Sequence, residues 1–551
     1  MAPGVLQVPL RAARKEAALS PARAVFLALL AIELPLVIAA LSPRRRFAAA
    51  RVLSFVVPLV VAIGFRAARA FGAQGVLEWD ETYYVSLAVN AASGGGLYPY
   101  IYGFGPMHIM GGIGYVAYSY VAAVKVFGPT VLALRGVSLL VSVAGLAGIW
   151  TLVRTWYGSG TAWIAAATTA SLQLFVLSNT ARMDSWTFAW VAWSLAAFAI
   201  ALERWHQPRL HLLAGLLFGL GLQVHIDTQA TAAACGVVYF LRYVRDARAA
   251  RRLVLGRHPL ILFAAGLFAG GIIYAAANIL PDTGSYYTTT VRVRVDATTW
   301  YSAGTASPFG SFLSPRILLA KEAARYRQLF AMTPALELAL LAAALAAAVV
   351  RRNRADRIVL VLVPAVSLAS AMLLNNASPL YYIHVLPAIV VSIAPLFTHG
   401  WREQARVALK DVGPRALIAS VAVSCALCAS AAGRTIRSMQ AASVAAPGTL
   451  DTVRRVRAVV DRRCVVAGDG GLFVPYFADY PRFISLRPTE LKYGMLFYGA
   501  PDEASYWRIK QPDAVFTTDA LRPGLSDYLT SRRFQMVAPD VWLNPEGCGA
   551  R

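Results

Sequence analysis

"HIMGGIGYVAYSYVAAVKVFG", residues 108–128, is apolar enough to pass for a membrane span, yet its composition suits another role. It is rich in glycine and tyrosine, opens on His108 and carries Lys125 near its end. Aromatic rings and a lysine are what a helix lying at head-group depth presents to the interface. If this segment crosses the bilayer, the acidic stretch before it, "EWDETYY" (78–84), is cytoplasmic; if it lies along the surface, that stretch is outside. Ionised carboxylates do not enter hydrocarbon cheaply, so those of EWDETYY belong at the interface or in a watery cavity.

The remainder of the chain favours the surface placement. Of 551 residues, 58% are hydrophobic and only 15% charged. Soluble domains run about 45–50% and about 25%, so the fold class expected is a polytopic α-helical membrane protein. A helical span needs about 20 apolar residues, and about 11–13 segments qualify or come close. They are 24–41, 53–70, 108–127 (the ambiguous one), 132–153, 161–178, 185–203, 210–224, 228–243, 259–280, 334–350, 357–375, 380–398 and 414–433. The first 24 residues, "MAPGVLQVPLRAARKEAALSPARA", are long, polar and unlike a secretory signal. A net charge of +24 is compatible with nucleic acid, but the arginines sit in short loops between apolar runs, as the positive-inside bias requires, so no nucleic-acid partner is expected.

Orientation follows from those loops. "RYVRDARAARRLVLGRH" (242–258), "RRNRADR" (351–357) and "HGWREQARVALKDVGPR" (399–415) are basic and therefore cytoplasmic. Alternation then places 281–333 and 434–551 outside, "RWHQPR" (204–209) inside, "SNTARMD" (178–184) outside and "RTWYGSG" (154–160) inside. The basic "SPRRRFAAAR" (42–51) also starts segment 53–70 from the cytoplasm. Residues 71–131 are thus one outer loop holding one or two juxtamembrane helices. Segment 24–41, with Glu33 and Pro35 inside it, is either re-entrant or an additional span. The domains expected are a polar segment 1–23, a transmembrane domain 24–433 with outer loops 71–131 and 281–333, and an extracytoplasmic α/β domain 434–551. Strand-like runs "CVVAGD", "RFISL", "DAVFTT" and "FQMVAP" mark that last domain. Cys235, Cys425 and Cys428 lie in or beside apolar helices and are expected to be inert; outside the cell, Cys464 and Cys548 could pair as a disulfide.

Chemistry-bearing residues collect on the outer face. In 79–108, Asp80, Tyr83 or Tyr84, Leu87 and Asn90 or Ala91 recur at helical spacing, so a helix starting at Asp80 would show one face to the membrane and one to a cavity, with Asp80 and Glu81 favoured by its dipole. "SGGG" stops that helix, and "LYPY", with Tyr98, forces extended and turn geometry. "ARMDSW" supplies Arg182 and Asp184, and "VHIDTQ" supplies His225 and Asp227. Loop 281–333 brings Tyr286, Arg292 and Arg294, and "NNASPLYYIHVLPAIV" (375–390) places Tyr381, Tyr382 and His384 at the mouth of a Pro-containing helix. Each group has a plain structural reading as a helix cap, a snorkelling cation or an interface anchor. Acids, cations and aromatics from four separate loops on one membrane face are more simply explained by a catalytic cavity.

The string Asp80-Glu81-x-x-Tyr84, then "GGGLYPYIYGFGPMH" (94–108), "ARMD" (181–184) and "YYIHVLP" (381–387), resembles the integral-membrane glycosyltransferases of the GT-C fold. The nearest group is the protein O-mannosyltransferases and lipid A aminoarabinose transferases (family-39-like). The resemblance spans roughly residues 50–400 and is most specific over 80–108. "GPMHI" stands where those families often carry His-Pro-Pro-Leu, and "YYIHVLP" lacks their arginine before the tyrosine. It implies a polyprenyl-phosphate-linked monosaccharide donor, an acceptor hydroxyl on a glycan, lipid or protein, and an inverting displacement with Asp80 as general base and Glu81 as the weaker candidate. Asp184 would orient the acceptor or Asp80; Arg182, Arg292, Arg294 or His384 would stabilise the departing phosphate. Tyr83, Tyr84, Asn90, Tyr98, His108, His225, Asp227, Tyr286, Tyr381 and Tyr382 are the expected substrate contacts. No cofactor is expected in this branch, although Glu78 and Asp80 could hold a divalent metal. The location implied is the inner or plasma membrane, with the active site outside. A lipid-linked glycan ligase or polymerase, a flippase and an inactive scaffold are the alternatives.

Overall fold

The computed structural model describes residues 27–29, 31–36, 48–72, 81–94, 114–172, 181–250, 258–287, 382–393, 421–430, 446–469, 482–488, 498–517 and 520–547, with isolated positions between them. The helices of the first part are α1 (Ala48–Gly72), α2 (Glu81–Ala92), α3 (Gly114–Phe127), α4 (Val131–Ser171), α5 (Asp184–Glu203), α6 (Pro208–Leu220), α7 (Thr228–Ala250), α8 (Pro259–Asn278), the single turn α9 (Thr283–Tyr286) and α10 (Tyr382–Ile393). Among the described residues, Leu132–Ser171, Asp184–Glu203 and Pro259–Asn278 are long and apolar enough to cross a bilayer. The predicted span 334–350 lies outside the described residues, and 357–375 is described only at 363 and 367.

Before α4 the described residues hold α2 and α3, of 12 and 14 residues, about 18 and 21 Å long at about 1.5 Å per residue. The predicted helix start at Asp80 lies outside the described residues, which take up α2 at Glu81.

Helix α4 is two limbs. A straight helix of its 41 residues would run about 60 Å, twice the core. Gly158 breaks it with φ 84° and ψ 171°, a backbone region that glycine enters without strain. The Trp150 and Trp163 rings meet edge to face at 5.8 Å, whereas a straight helix would hold them about 20 Å apart along its axis. The chain therefore folds back sharply at Gly158, inside the predicted turn 154–160, and the segments read as 132–153 and 161–178 are separate limbs.

Helices α6 and α8 pack along one another. Gly215 and Gly219 on α6 face Gly266 and Gly270 on α8, each pair four residues apart. A Cβ at Gly215 would strike the Phe263 carbonyl, one at Gly219 the Leu267 carbonyl, and one at Gly266 the Leu212 carbonyl. This is the small-residue contact that lets membrane helices approach closely.

The C-terminal region comprises α11 (Ala446–Val459), β1 (Val466–Gly468), β2 (Phe483–Ser485), α12 (Glu503–Lys510), β3 (Ala514–Phe516), α13 (Pro523–Ser531), β4 (Gln535–Ala538) and β5 (Val541–Leu543). The sheet order is β2-β1-β3-β5-β4, with β1 parallel to β2 and β3, and β5 antiparallel to β3 and β4. Alternation buries both faces. Val466, Phe483, Ala514 and Phe516 face one apolar cluster, and Ala467, Ile484 and Val515 face another with Trp507 and Tyr528. The four strands expected from sequence are present; β5, three residues long, was not foreseen. The first cluster also contains Val85, Leu87, Val116 and Tyr120, so α2, α3 and the sheet domain share a core.

Cys464 is disulfide-bonded, and its expected partner Cys548 lies outside the described residues. Cys235, Cys425 and Cys428 are free and buried, as expected. Cys464→Ser is expected to lower the stability of the sheet domain by about 2–5 kcal/mol. Limited proteolysis of the full chain would show it as earlier cleavage after residue 446, with Cys235→Ser as the control; equal cleavage of both would refute it.

Candidate active site

Stretches distant in sequence meet where the helices end. Glu81 opens α2, and Arg135 lies just inside α4, whose first turn is capped by the Thr130 hydroxyl. The Arg135 guanidinium grips Glu81 with both prongs, Nε to Oε1 at 2.8 Å and the second nitrogen to Oε2 at 2.7 Å. The Ala181 amide donates to the same Oε1 at 2.7 Å, tying the start of α2 to the segment before α5. Tyr120 of α3 adds a second tie: its hydroxyl donates to the Arg182 carbonyl at 2.9 Å and lies 2.7 Å from the Ser138 hydroxyl on α4.

Asp184 is the first residue of α5, where the helix dipole favours a carboxylate. The residue before it, Met183, occupies the cap position without a side-chain hydrogen bond, so Asp184 is not the N-cap of the plain reading. Its carboxylate pairs with Arg182 Nε at 3.0 Å and with His384 Nε2 at 3.2 Å. The other His384 nitrogen, Nδ1, lies 2.8 Å from Asp227 Oδ2. Asp227 Oδ1 in turn lies 3.2 Å from His225 Nδ1.

The break between α6 and α7 positions the last two groups. Helix α6 tightens into a 3-10 turn at Gly221–Gln223, and the Thr228 hydroxyl that begins α7 donates to the His225 carbonyl at 2.8 Å. Asn278 at the end of α8 holds the Gln223 side chain at 3.1 Å. His384 sits in the first turn of α10, which packs on α4, α5 and α7.

The result is a buried relay running Arg182, Asp184, His384, Asp227, His225, with the Glu81–Arg135 pair beside it. Exposure is 0% at Glu81, 1% at Asp184, 2% at His384 and 7% at Asp227, so every charge here must be balanced by another. Burial by itself would raise the Asp227 carboxyl; the adjacent His225 and His384 imidazoles outweigh it and hold the group well below the usual carboxylate range.

Of the residues singled out in the sequence, Arg182, Asp184, His225, Asp227 and His384 are brought together. Both oxygens of Glu81, the weaker candidate base, are engaged in a buried ion pair with Arg135 and a bond from the Ala181 amide. The Tyr84 hydroxyl donates to Met183 sulfur at 2.9 Å, with the half-buried Tyr83 edge-on to it. Asn90 is buried on α2, and the Tyr286 hydroxyl meets that of Tyr274 at 3.0 Å. Asp80, Glu78, Tyr98, His108, Arg292, Arg294 and Tyr381 lie outside the described residues; Tyr382 opens α10. Arg135 and Tyr120 were missed. A lone arginine inside the apolar run "VLALRGVSLL" (131–140) was the available signal, since an ionisable residue at membrane depth needs a partner.

Residues 115–273 match the family model described as dolichyl-phosphate-mannose-protein mannosyltransferase. The crystal structure of ArnT from Cupriavidus metallidurans bound to undecaprenyl phosphate is similar, with 15% identity and a TM-score of 0.53 over 90% of this chain and 97% of that one. Its apo state gives 16% identity and a TM-score of 0.50 over the same shares. The apo oligosaccharyltransferase of Archaeoglobus fulgidus aligns over 85% of this chain and 69% of its own, with 13% identity and a TM-score of 0.48. Comparison with curated protein sequences gives no match. The likeness to ArnT establishes the GT-C fold, and both the matched model and the fold are those of membrane glycosyltransferases, which are enzymes.

Proposed function

We infer that this GT-C-fold membrane glycosyltransferase moves a monosaccharide from a polyprenyl-phosphate donor to an extracytoplasmic hydroxyl on a glycan, lipid or protein. The observation that carries this reading is the buried relay of Arg182, Asp184, His384, Asp227 and His225 beside the first-loop helix. Transfer leaves a lipid phosphate with added negative charge, and a preorganised, water-poor array of cations is what stabilises such a leaving group. Arg182 and His384 supply that array among the described residues. The similar ArnT structure contains undecaprenyl phosphate, a ligand of the same chemistry.

The reaction needs a base for the acceptor. Asp80 takes this role: its carboxylate removes the hydroxyl proton as the oxygen attacks the anomeric carbon, the bond from that carbon to the phosphate oxygen breaks, and the lipid phosphate leaves. One attack from the opposite face inverts the anomeric centre. Asp80 immediately precedes Glu81, which Arg135 and Ala181 pin beside the relay. Asp184, held by Arg182 and His384, orients the acceptor or the Asp80 side chain.

Sidedness rests on three supports. The basic loops put 434–551 outside; α2, α3 and the sheet domain share one apolar cluster and so one side; and a disulfide at Cys464 suits an oxidising compartment.

The test is sugar transfer by purified protein in lipid against a panel of polyprenyl-phosphate sugars and acceptors. Asp80→Asn is expected to keep the fold and lose at least about 10²-fold in kcat, the range for removing a general base. Full activity in that variant would remove Asp80 from the mechanism. No consumption of any donor by wild type would set the transferase reading against the flippase.

A further inference from the structure

We propose that His225, Asp227 and His384 form a divalent transition-metal site. The His225 and His384 ring nitrogens and an Asp227 oxygen lie within 4.8 Å of one another, all in buried residues. Three protein ligands bound at about 2.0–2.2 Å in tetrahedral geometry would lie about 3.4 Å apart. Two spacings, 2.8 Å from His384 Nδ1 to Asp227 Oδ2 and 3.2 Å from His225 Nδ1 to Asp227 Oδ1, both fall short of that value, so the side chains would open by a few tenths of an ångström to admit an ion. The two imidazole rings lie with centroids 5.2 Å apart and planes tilted at 55°.

The surroundings are those of a metal ligand. A histidine bound to metal through one nitrogen commonly donates its other N–H to a carboxylate, which fixes the ring and raises its basicity. His384 has that partner: Nδ1 points to Asp227, and Nε2 lies 3.2 Å from Asp184, which Arg182 steadies from its far side. Asp184 then supports the metal through the histidine and is a positioning residue for it.

Charge admits the same reading. With neutral imidazoles, the two carboxylates exceed the one guanidinium in the relay by one negative charge. Holding the relay by protons alone requires both nitrogens of His384 to carry hydrogen, whereas His225 Nδ1 accepts from the Asp227 amide at 3.2 Å and so turns a lone pair toward the same carboxylate. One divalent ion takes the place of the His384 Nδ1 proton, leaves His384 Nε2–H on Asp184, and turns the local charge positive, so that the ion takes over the cationic role of the protonated His384. Two imidazoles and one carboxylate favour zinc or its tetrahedral stand-in cobalt over magnesium or calcium, which prefer all-oxygen shells. Three protein ligands leave a fourth position open to an anionic oxygen, as in catalytic zinc sites.

Metal binding is measured without any sugar donor, so it stands or falls separately from the transferase reading. Full-length protein in lipid is stripped with chelator, then titrated with Zn2+, and with Co2+ as a coloured probe of coordination. The expected result is about one bound metal per chain, with a tetrahedral cobalt spectrum. Asp184→Asn should weaken binding about 10–100-fold, the usual cost of losing such a support, and His225→Ala should weaken it further while the Arg135–Glu81 pair and the fold persist. Wild-type protein that takes up no Zn2+ or Co2+ would overturn the site and leave a proton-held network. Unchanged stoichiometry and spectrum in both variants would overturn it equally, placing the metal elsewhere.

Discussion

Arg135→Met is expected to lower the stability of the protein by about 3–5 kcal/mol, the range for stripping one partner from a buried ion pair. The reason is asymmetry. The Glu81 carboxylate is fully buried, and the two guanidinium bonds at 2.7 and 2.8 Å are the charge-assisted part of its environment. With methionine in place, the carboxylate keeps the Ala181 amide but loses its counter-charge, so it must either protonate or draw in water. The thermal midpoint in detergent or lipid reports the loss. Adding Glu81→Gln removes the stranded charge while keeping an acceptor for Ala181, so the double variant should recover much of the midpoint. A single variant as stable as wild type would mean that the pair is not formed in the membrane. Because Ala181 precedes Arg182 and Asp184, transfer activity should fall with the single variant and return partly with the double.

Adjacent glycines on α8 should respond in opposite directions. A Cβ at Gly270 would sit 2.6 Å from the Gly219 Cα and the Leu220 nitrogen, backbone atoms that cannot swing aside, whereas a Cβ at Gly271 would meet nothing within 4 Å. Gly270→Ala therefore pushes α6 and α8 apart and should cost at least the roughly 1–3 kcal/mol of overpacking. Gly271→Ala gains helix propensity, worth up to about 1 kcal/mol, and should be neutral or stabilising. In lipid, where no hydrophobic force holds helices together, the lost close contact has little to replace it. Comparing the two thermal midpoints checks the claim; equal shifts would sink it.

Much of the scaffold was legible because hydropathy and helix geometry are local. The runs that became α4, α5 and α8 stand out by length alone, and the turn near Gly158 was marked by "RTWYGSG". The site was legible in parts. "ARMD", "VHID" and "YYIHV" each suggested a charged group at a helix end, but nothing local says that His384 bridges Asp184 and Asp227, residues separated from it by 200 and 157 positions. Likewise nothing near Glu81 in the sequence announces its partner Arg135, 54 residues later. Pairing between remote charges is set by how helices pack, and that information is spread over the whole chain.

The core shared by α2, α3 and the sheet domain imposes an order on biogenesis. Val85 and Tyr120 leave the ribosome long before Val453 and Phe483, with which they are finally buried. At synthesis rates of about 5–20 residues per second, an interval of about 370 residues leaves the apolar face of the first-loop helices uncovered for roughly 20–75 s. During that time it is open to lipid head groups, chaperones or a neighbouring nascent chain. A transcript cut short before residue 446 would therefore yield a protein with most of its membrane helices but an open, sticky outer face, which quality-control proteases would recognise.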